Sequence, residues 1–234
     1  ILLLLSAALR MTELTTLPQG ISDDEITNVR LVGNVQQGEI TVFFRLGDEA
    51  REGLYHVVVA LITAFTGEGT IGYRILSVWL SLLSIAMVYT LARHLFNPIV
   101  GLLAMGLLAI NLNSNLLARQ ISSEAVTIFL ISAIMLALAR SLPIYRSTRI
   151  VTANTISFAA LGTLWGGSFY VHPSSLFIVL GSMVYIVYLL FVRQAMSPRR
   201  RSYTGFAVLV MLIIATPYLI SSIRLPEYAV SQRI

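Results

Sequence analysis

Six apolar runs govern what this chain can become. They lie at roughly 75–92, 99–118, 121–139, 153–171, 174–192 and 203–222, each close to the about 20 residues a helix needs to cross hydrocarbon. Lipid offers no partner to an open strand edge, so such runs are expected to be helical. Of the 234 residues 12% are charged and 56% hydrophobic, and mean hydropathy is +0.81. Soluble domains carry about 25% charged residues, so this chain cannot cover itself in water and its main solvent is lipid.

Residues 1–9 are apolar but too few to span, and read as the end of a first span that begins outside the chain, itself a piece of a longer protein. Segment 54–67 is also apolar, yet its 14 residues suit an interfacial helix rather than a crossing. Charge sets the parity. If 54–67 does not span, Arg93, Arg140, Arg146, Arg149, Arg193, Arg199, Arg200 and Arg201 share one side, in short loops without an acid, which reads as cytoplasmic. All 11 acids then face the other side. Pro98, Pro143, Pro173 and Pro198 fall at or between span ends, where a missing N–H does little harm.

The expected fold is therefore an all-α, polytopic transmembrane bundle of about seven spans, forming one domain over 1–234. Residues 1–10 end the first span, 11–73 form an outward-facing loop with interfacial amphipathic helices, 74–222 hold six spans, and 223–234 form an outer tail. Within the loop Ile26, Val29, Val32 and Val35 recur at three-residue spacing, an apolar stripe suited to lying on a membrane.

All 16 basic residues are Arg, giving a net charge of +5. Their scatter between apolar runs argues for membrane topology and against a nucleic-acid partner. There is no Cys, hence no disulfide, thiolate site or cysteine nucleophile. No phosphate-binding Gly loop, zincin helix or serine-hydrolase elbow is present. Gly166-Gly167 suits close helix packing. A transporter is disfavoured because the span interiors are almost free of charge.

Candidate chemistry gathers at the outward ends. Ser22-Asp23-Asp24-Glu25 fits a capping box, which accounts for Glu25 and part of Asp23 without requiring three acids in a row. Arg119 and Glu124 flank the outward end of the fourth span. Glu124 follows Ser122-Ser123, so a helix start and a catalytic carboxylate both remain open there. Asn111, Asn113 and Asn115 crowd the same end and could line a polar cleft. His172-Pro173 occupies the outward junction of the fifth and sixth spans, and neither His172 nor His56 nor His94 shows metal-ligand spacing.

The order of these parts resembles the N-terminal half of the GT-C superfamily of membrane glycosyltransferases, in its protein O-mannosyltransferase and aminoarabinose-transferase-like branch. The resemblance rests on Asp24-Glu25, Asn28 to Arg30, Gly38 and Phe43-Phe44. It continues through the helix at 54–65, Gly67 to Gly72 and Tyr73-Arg74-Ile75-Leu76-Ser77. It then takes in Tyr89, Arg93-His94-Leu95-Phe96, the run Gly101-Leu-Leu-Ala104, Arg119 and Glu124. The chain departs from the pattern at Glu52-Gly53-Leu54-Tyr55, where Pro-Pro or Pro-Leu is common, and family members have some eleven or more spans.

The resemblance implies inverting transfer of a sugar from a polyprenyl-phosphate donor to an acceptor on the outer face. Asp24 would be general base or orient the acceptor hydroxyl, and Glu124 would support the acceptor or a divalent cation, the one cofactor admitted. Arg74 and Arg119 would neutralise the phosphate, and Asp23, Glu25 and His172 would complete the substrate-binding set. Asp24, Arg119 and Glu124 are expected to converge on one cleft. The alternative is a non-catalytic subunit that keeps this scaffold and packs against partners in a larger membrane complex. In both readings lipid surrounds the chain, and a cell membrane of bacterial or archaeal type is expected.

Overall fold

The computed structural model describes residues 1–16, 21–46, 49–142, 154–193 and 196–224. In chain order the elements are α1 (Leu2–Met11), α2 (Asp23–Gln36), β1 (Phe43–Leu46), β2 (Glu49–Glu52), α3 (Leu54–Thr66) and α4 (Thr70–Leu95). There follow α5 (Pro98–Ile110), α6 (Leu112–Ala118), α7 (Glu124–Ser141), α8 (Thr155–Gly167), α9 (Ser175–Val187) and α10 (Pro198–Arg224). A 3-10 turn, Ser168–Tyr170, extends α8, and a π-helical turn, Tyr188–Val192, extends α9. Arg146, Arg149, Pro143, Asp48, Glu227 and nearly all of the expected outer tail lie outside the described residues.

Among the described residues four helices are long and apolar enough to cross a membrane: α4, α7, α9 with its π turn, and α10. A fifth span results if α5 and α6, bent by 63° at their junction, count as one. Of the seven expected spans, four or five are thus found among the described residues. Within the described residues α1 has 10 residues and α8 has 13, so that even α8 covers only about 20 Å, short of the about 30 Å of hydrocarbon. The bend between α5 and α6 has a local cause. Asn111 ends α5 in an extended conformation, and its side chain accepts from Ser114 N at 2.9 Å to start α6. Asn115 donates to Ala109 O and Asn111 O. Two of the three crowded asparagines therefore serve the bend rather than a cleft.

The outside of the bundle is apolar, with Leu103, Leu107, Phe177, Val184, Phe191 and Ile213 more than half exposed. The inside is rich in small hydroxyl residues, including Ser77, Ser84, Ser132, Ser168 and Ser182. Several return their hydroxyl to the preceding turn, as Ser84 does to Leu80 O at 2.7 Å and Ser132 to Ile128 O at 2.9 Å. This is the inverse of a water-soluble helix and what lipid requires, since association there relies on close packing and satisfied polar groups. Arg10 is fully buried and binds Ser6 Oγ, Ser81 Oγ and Ser114 Oγ at 2.6–2.9 Å, tying α1 to α4 and α6.

Packing of α8 on α10 is set by glycine. A Cβ on Gly162 would meet Ala207 O at 2.3 Å, and one on Gly166 would meet Ile214 Cβ at 2.7 Å, whereas Gly167 has nothing within 4 Å. The close-packing pair is thus Gly162 and Gly166, one helical turn apart, not Gly166-Gly167. Pro217 lies inside α10, and the break it makes in the hydrogen-bond ladder is repaired from α8's extension. The Tyr170 hydroxyl accepts from Tyr218 N at 3.2 Å and donates to Ile214 O at 2.7 Å. A proline is tolerated in lipid when a neighbour re-satisfies the freed groups in this way.

The segment before α4 differs from the expected loop of interfacial helices in two respects. It contains an antiparallel hairpin, Phe43 opposite Glu52 through Leu46 opposite Glu49, so the fold is not purely α. The stripe on α2 also does not lie on a membrane. Leu31, Val32 and Val35 are buried against Phe44 and against Tyr55, Val59 and Ala60 of α3, while Ile26 is half exposed. Helix α3 is amphipathic in its turn, with Leu61 and Phe65 exposed on its other face.

Gly162→Ala should destabilise the protein by about 1–3 kcal/mol, the usual cost of overpacking, because the obstructing atom is backbone. Gly167→Ala should be neutral or slightly stabilising, as expected for Gly→Ala in a helix with free space. Thermal unfolding of both variants in the same detergent checks the pair; equal effects would refute the packing assignment.

Candidate functional site

A cavity of about 600 Å³ opens at one end of the bundle. It is lined by Ser22, Asp24, Glu25 and Asn28 of the α2 start, Arg51 and Glu52 of β2, and His56 of α3. Its other wall comprises Gln120 to Glu124 before and at the start of α7, and Val171, His172 and Pro173 before α9. The bundle's opposite end is marked by His94 near the end of α4, whose Nε2 lies 3.2 Å from Ala139 O near the end of α7.

Ser22 and Glu25 form the expected capping box. Ser22 Oγ accepts from Glu25 N at 3.3 Å, and Glu25 Oε2 accepts from Ser22 N at 3.2 Å. Glu25 does more than cap. Its other oxygen accepts from Ile121 N at 3.0 Å and faces Arg74 Nη2 at 3.5 Å, both carboxylate and guanidinium being buried. Arg74 also donates to Leu14 O at 2.9 Å. One carboxylate therefore joins α2, α4 and the segment between α6 and α7.

Asp24 has a different setting. Its side chain is 79% exposed and its Oδ1 pairs with Arg51 Nη2 at 2.7 Å. Arg51 also reaches Asn28 Oδ1 at 3.4 Å. The Asn28 amide donates to Ile121 O at 2.7 Å, so its oxygen is the acceptor for His56 Nε2 at 3.1 Å. His56 Nδ1 lies 3.1 Å from Glu52 O as well, so both ring nitrogens face acceptors, while burial pushes its pKa down to about 4 and leaves it neutral at physiological pH. Glu52, also buried, is pushed the other way, up to about 7, chiefly by desolvation. Gly53 holds this corner: its N–H donates to Val42 O at 2.8 Å, and a Cβ there would strike Thr41 O at 2.1 Å.

The sequence-derived candidates divide accordingly. Asp24, Glu25, Glu124 and His172 share the cavity; Asp23, Arg74 and Arg119 are not among its lining residues. Asp23 is an exposed residue of α2's first turn. Arg119 donates to Leu9 O at 3.4 Å and to Thr12 O, satisfying carbonyls that α1 leaves open at its end. Arg74 is buried on Glu25 and Leu14. The expected convergence of Asp24, Arg119 and Glu124 thus holds for the two acids and fails for the arginine, whose length carries its charge to another helix. Glu124 N donates to Ser122 Oγ at 3.1 Å, a helix-start contact, while its side chain faces the cavity. His172 Nδ1 accepts from Ser174 N at 3.3 Å, which puts the neutral ring's proton on Nε2.

Arg51, Glu52 and the Asn28–His56 pair were not singled out as site residues from sequence. Their signal was weak: an Arg-Glu pair at the end of an unforeseen hairpin, and a His in an apolar helix. Among the described residues no three His, Asp or Glu side chains are grouped to hold a metal ion.

Glu25→Ala removes the buried carboxylate that Arg74 faces and the Glu25 half of the capping box. A loss of about 3–5 kcal/mol is expected, the scale for breaking a buried pair, against less than about 0.5 kcal/mol for exposed Asp23→Asn. Chemical or thermal unfolding in detergent checks the contrast. For Glu52 the raised pKa means the folded state holds a proton that the unfolded chain releases above about 4.5. Its contribution to stability therefore falls as pH rises from there through about 7, and is fully unfavourable above. Glu52→Gln should accordingly melt higher than the parent at pH 8.5 and nearly level with it at pH 4.5.

No curated protein and no solved structure matches this chain. A sequence profile described as dolichyl-phosphate-mannose-protein mannosyltransferase matches residues 54–220, from the start of α3 to near the end of α10. The match spans the helices that carry the cavity's second wall and begins just after Glu52-Gly53. With its apolar exterior and membrane-length helices, the chain is an integral membrane protein, and it belongs to the dolichyl-phosphate-mannose-protein mannosyltransferase family of membrane glycosyltransferases.

Proposed function

We propose that the cavity is the transfer site of a glycosyltransferase that moves a sugar from a polyprenyl-phosphate donor to a hydroxyl acceptor at the outer face of the membrane. The observation that carries this reading is the setting of Asp24: an exposed carboxylate in a lined cavity, with one oxygen held by Arg51. A general base must be both fixed and reachable, and Asp24 is fixed by one contact and otherwise open.

In this scheme the acceptor oxygen attacks the anomeric carbon as the bond from that carbon to the phosphate oxygen breaks. The polyprenyl phosphate leaves, Asp24 takes the acceptor's proton, and configuration inverts. Arg51, the arginine among the cavity's lining residues, takes the role of phosphate neutraliser first assigned to Arg74 and Arg119. Arginine suits phosphate by charge and by its fork of donors. Glu124 orients the acceptor from the opposite wall, and the Nε2–H of His172 supplies a donor to a sugar or acceptor hydroxyl.

Asp24→Asn should lower kcat by about 10²–10⁴, the range of general-base contributions, with little change in melting temperature because an exposed pair adds at most about 1 kcal/mol. Arg51→Ala should raise the donor KM, whereas Arg119→Ala should chiefly lower stability by freeing the end of α1. Transfer of radiolabelled sugar from dolichyl-phosphate mannose in proteoliposomes reads all three. Undiminished turnover in Asp24→Asn would remove Asp24 as the base.

A further inference from the structure

We propose that Glu52 is a sugar-binding residue, the group that holds adjacent hydroxyls of the donor's pyranose ring; this rests on the glycosyltransferase reading above. Glu52 is 7% exposed, yet it lines the cavity. Its carboxyl is met by its own backbone N–H and lies within the field of Arg51. A carboxyl that burial desolvates this strongly is costly, and native proteins rarely keep one without a use. The rigid corner at Gly53, closed by the contact with Thr41 and the bond to Val42, fixes where that carboxyl sits.

The neighbours select the ligand. Arg51 is adjacent in sequence and lines the same cavity, so a phosphate held there places the attached sugar beside Glu52. A metal ion is disfavoured, because no group of three ligating side chains occurs among the described residues. A protonated carboxyl donates one hydrogen bond and accepts another. Two neighbouring hydroxyls of a ring offer the complementary pair, and glutamine reproduces that pair with its amide. The groups that share the cavity with Glu52 are Asp24 and Glu25 of α2, Arg51 of β2, His56 of α3, Glu124 of α7 and His172 before α9. Burial favours the neutral form of Glu52 and outweighs the charge of Arg51 beside it, which favours the ionised form. Once Glu52 ionises it can only accept, and it also repels the donor phosphate.

The test measures binding of dolichyl-phosphate mannose and of sugar-free dolichyl phosphate to the full chain in nanodiscs of neutral lipid, at pH 6 and pH 8.5. Losing two neutral hydrogen bonds corresponds to a weakening of about 10- to 100-fold. Glu52→Ala should therefore weaken the mannose-bearing lipid by that factor and leave the sugar-free lipid unchanged. Glu52→Gln should bind the mannose-bearing lipid like the parent at pH 6, and should lack the parent's loss of affinity at pH 8.5. If the parent binds both lipids and Glu52→Ala weakens neither, or both equally, the sugar-binding role is overturned while the enzymatic reading stands. If the parent binds neither lipid, the glycosyltransferase reading fails and this role falls with it.

Discussion

The Glu25 carboxylate is shared by partners that lie 3, 49 and 96 residues away in the chain. Such sharing answers the constraint that governs a protein immersed in lipid. Buried donors find no water, so each must be met from within the protein. Here the free N–H of Ser22 at a helix start, the N–H of Ile121 in a link between helices, and the Arg74 guanidinium converge on two oxygens. That convergence brings the start of α2 against α4 and the entry to α7, and the cavity is the space left between these elements. Asp24 reaches the cavity because Glu25, the next residue on the same turn, is anchored in the wall.

Much of this was legible from the sequence, and the reasons differ by element. The long helices could be read from hydropathy, because lipid permits a single backbone solution for a 20-residue apolar run. The capping box at Ser22 was legible because its chemistry is local, confined to four residues. The hairpin was not, since Phe43–Leu46 and Glu49–Glu52 are four-residue strands whose pairing depends on packing Phe44 into the α2–α3 core. Four or five of the seven expected spans appear among the described residues, and α1 and α8 are not among them. Apolar composition continues there, but the helix in the described residues is short.

Arginine was the residue type that sequence position described least well. Topology places an arginine's Cα at one end of the bundle and says nothing of where the guanidinium, several bonds away, finds its acceptors. Arg119 reaches across to the end of α1, Arg10 to serines of α4 and α6, and Arg74 inward to Glu25. Each has been drawn to the nearest unsatisfied oxygen, as a low-dielectric surround demands. The two that looked available for a phosphate, Arg74 and Arg119, are in fact fasteners. Arg51, in a more open position at the edge of a hairpin, was overlooked because the hairpin was.

Satisfaction of polar groups also separates structure from function within the cavity wall. Glu25 is met by four donors, and nothing about it invites a ligand. His56 and Asn28 satisfy each other and Ile121 O, and so brace the wall. Asp24 is paired through one oxygen, and Glu52 is buried with its own backbone N–H and the charge of Arg51 to offset its desolvation. A fold selected for stability alone would replace Glu52 by an apolar residue, since the ionised carboxyl opposes folding near neutral pH. The same desolvation that makes the ionised group unfavourable makes it effective toward a hydroxyl-bearing ligand, because a hydrogen bond strengthens as the local dielectric falls. The cavity's least stable carboxyl is thus the one with most to gain from a substrate.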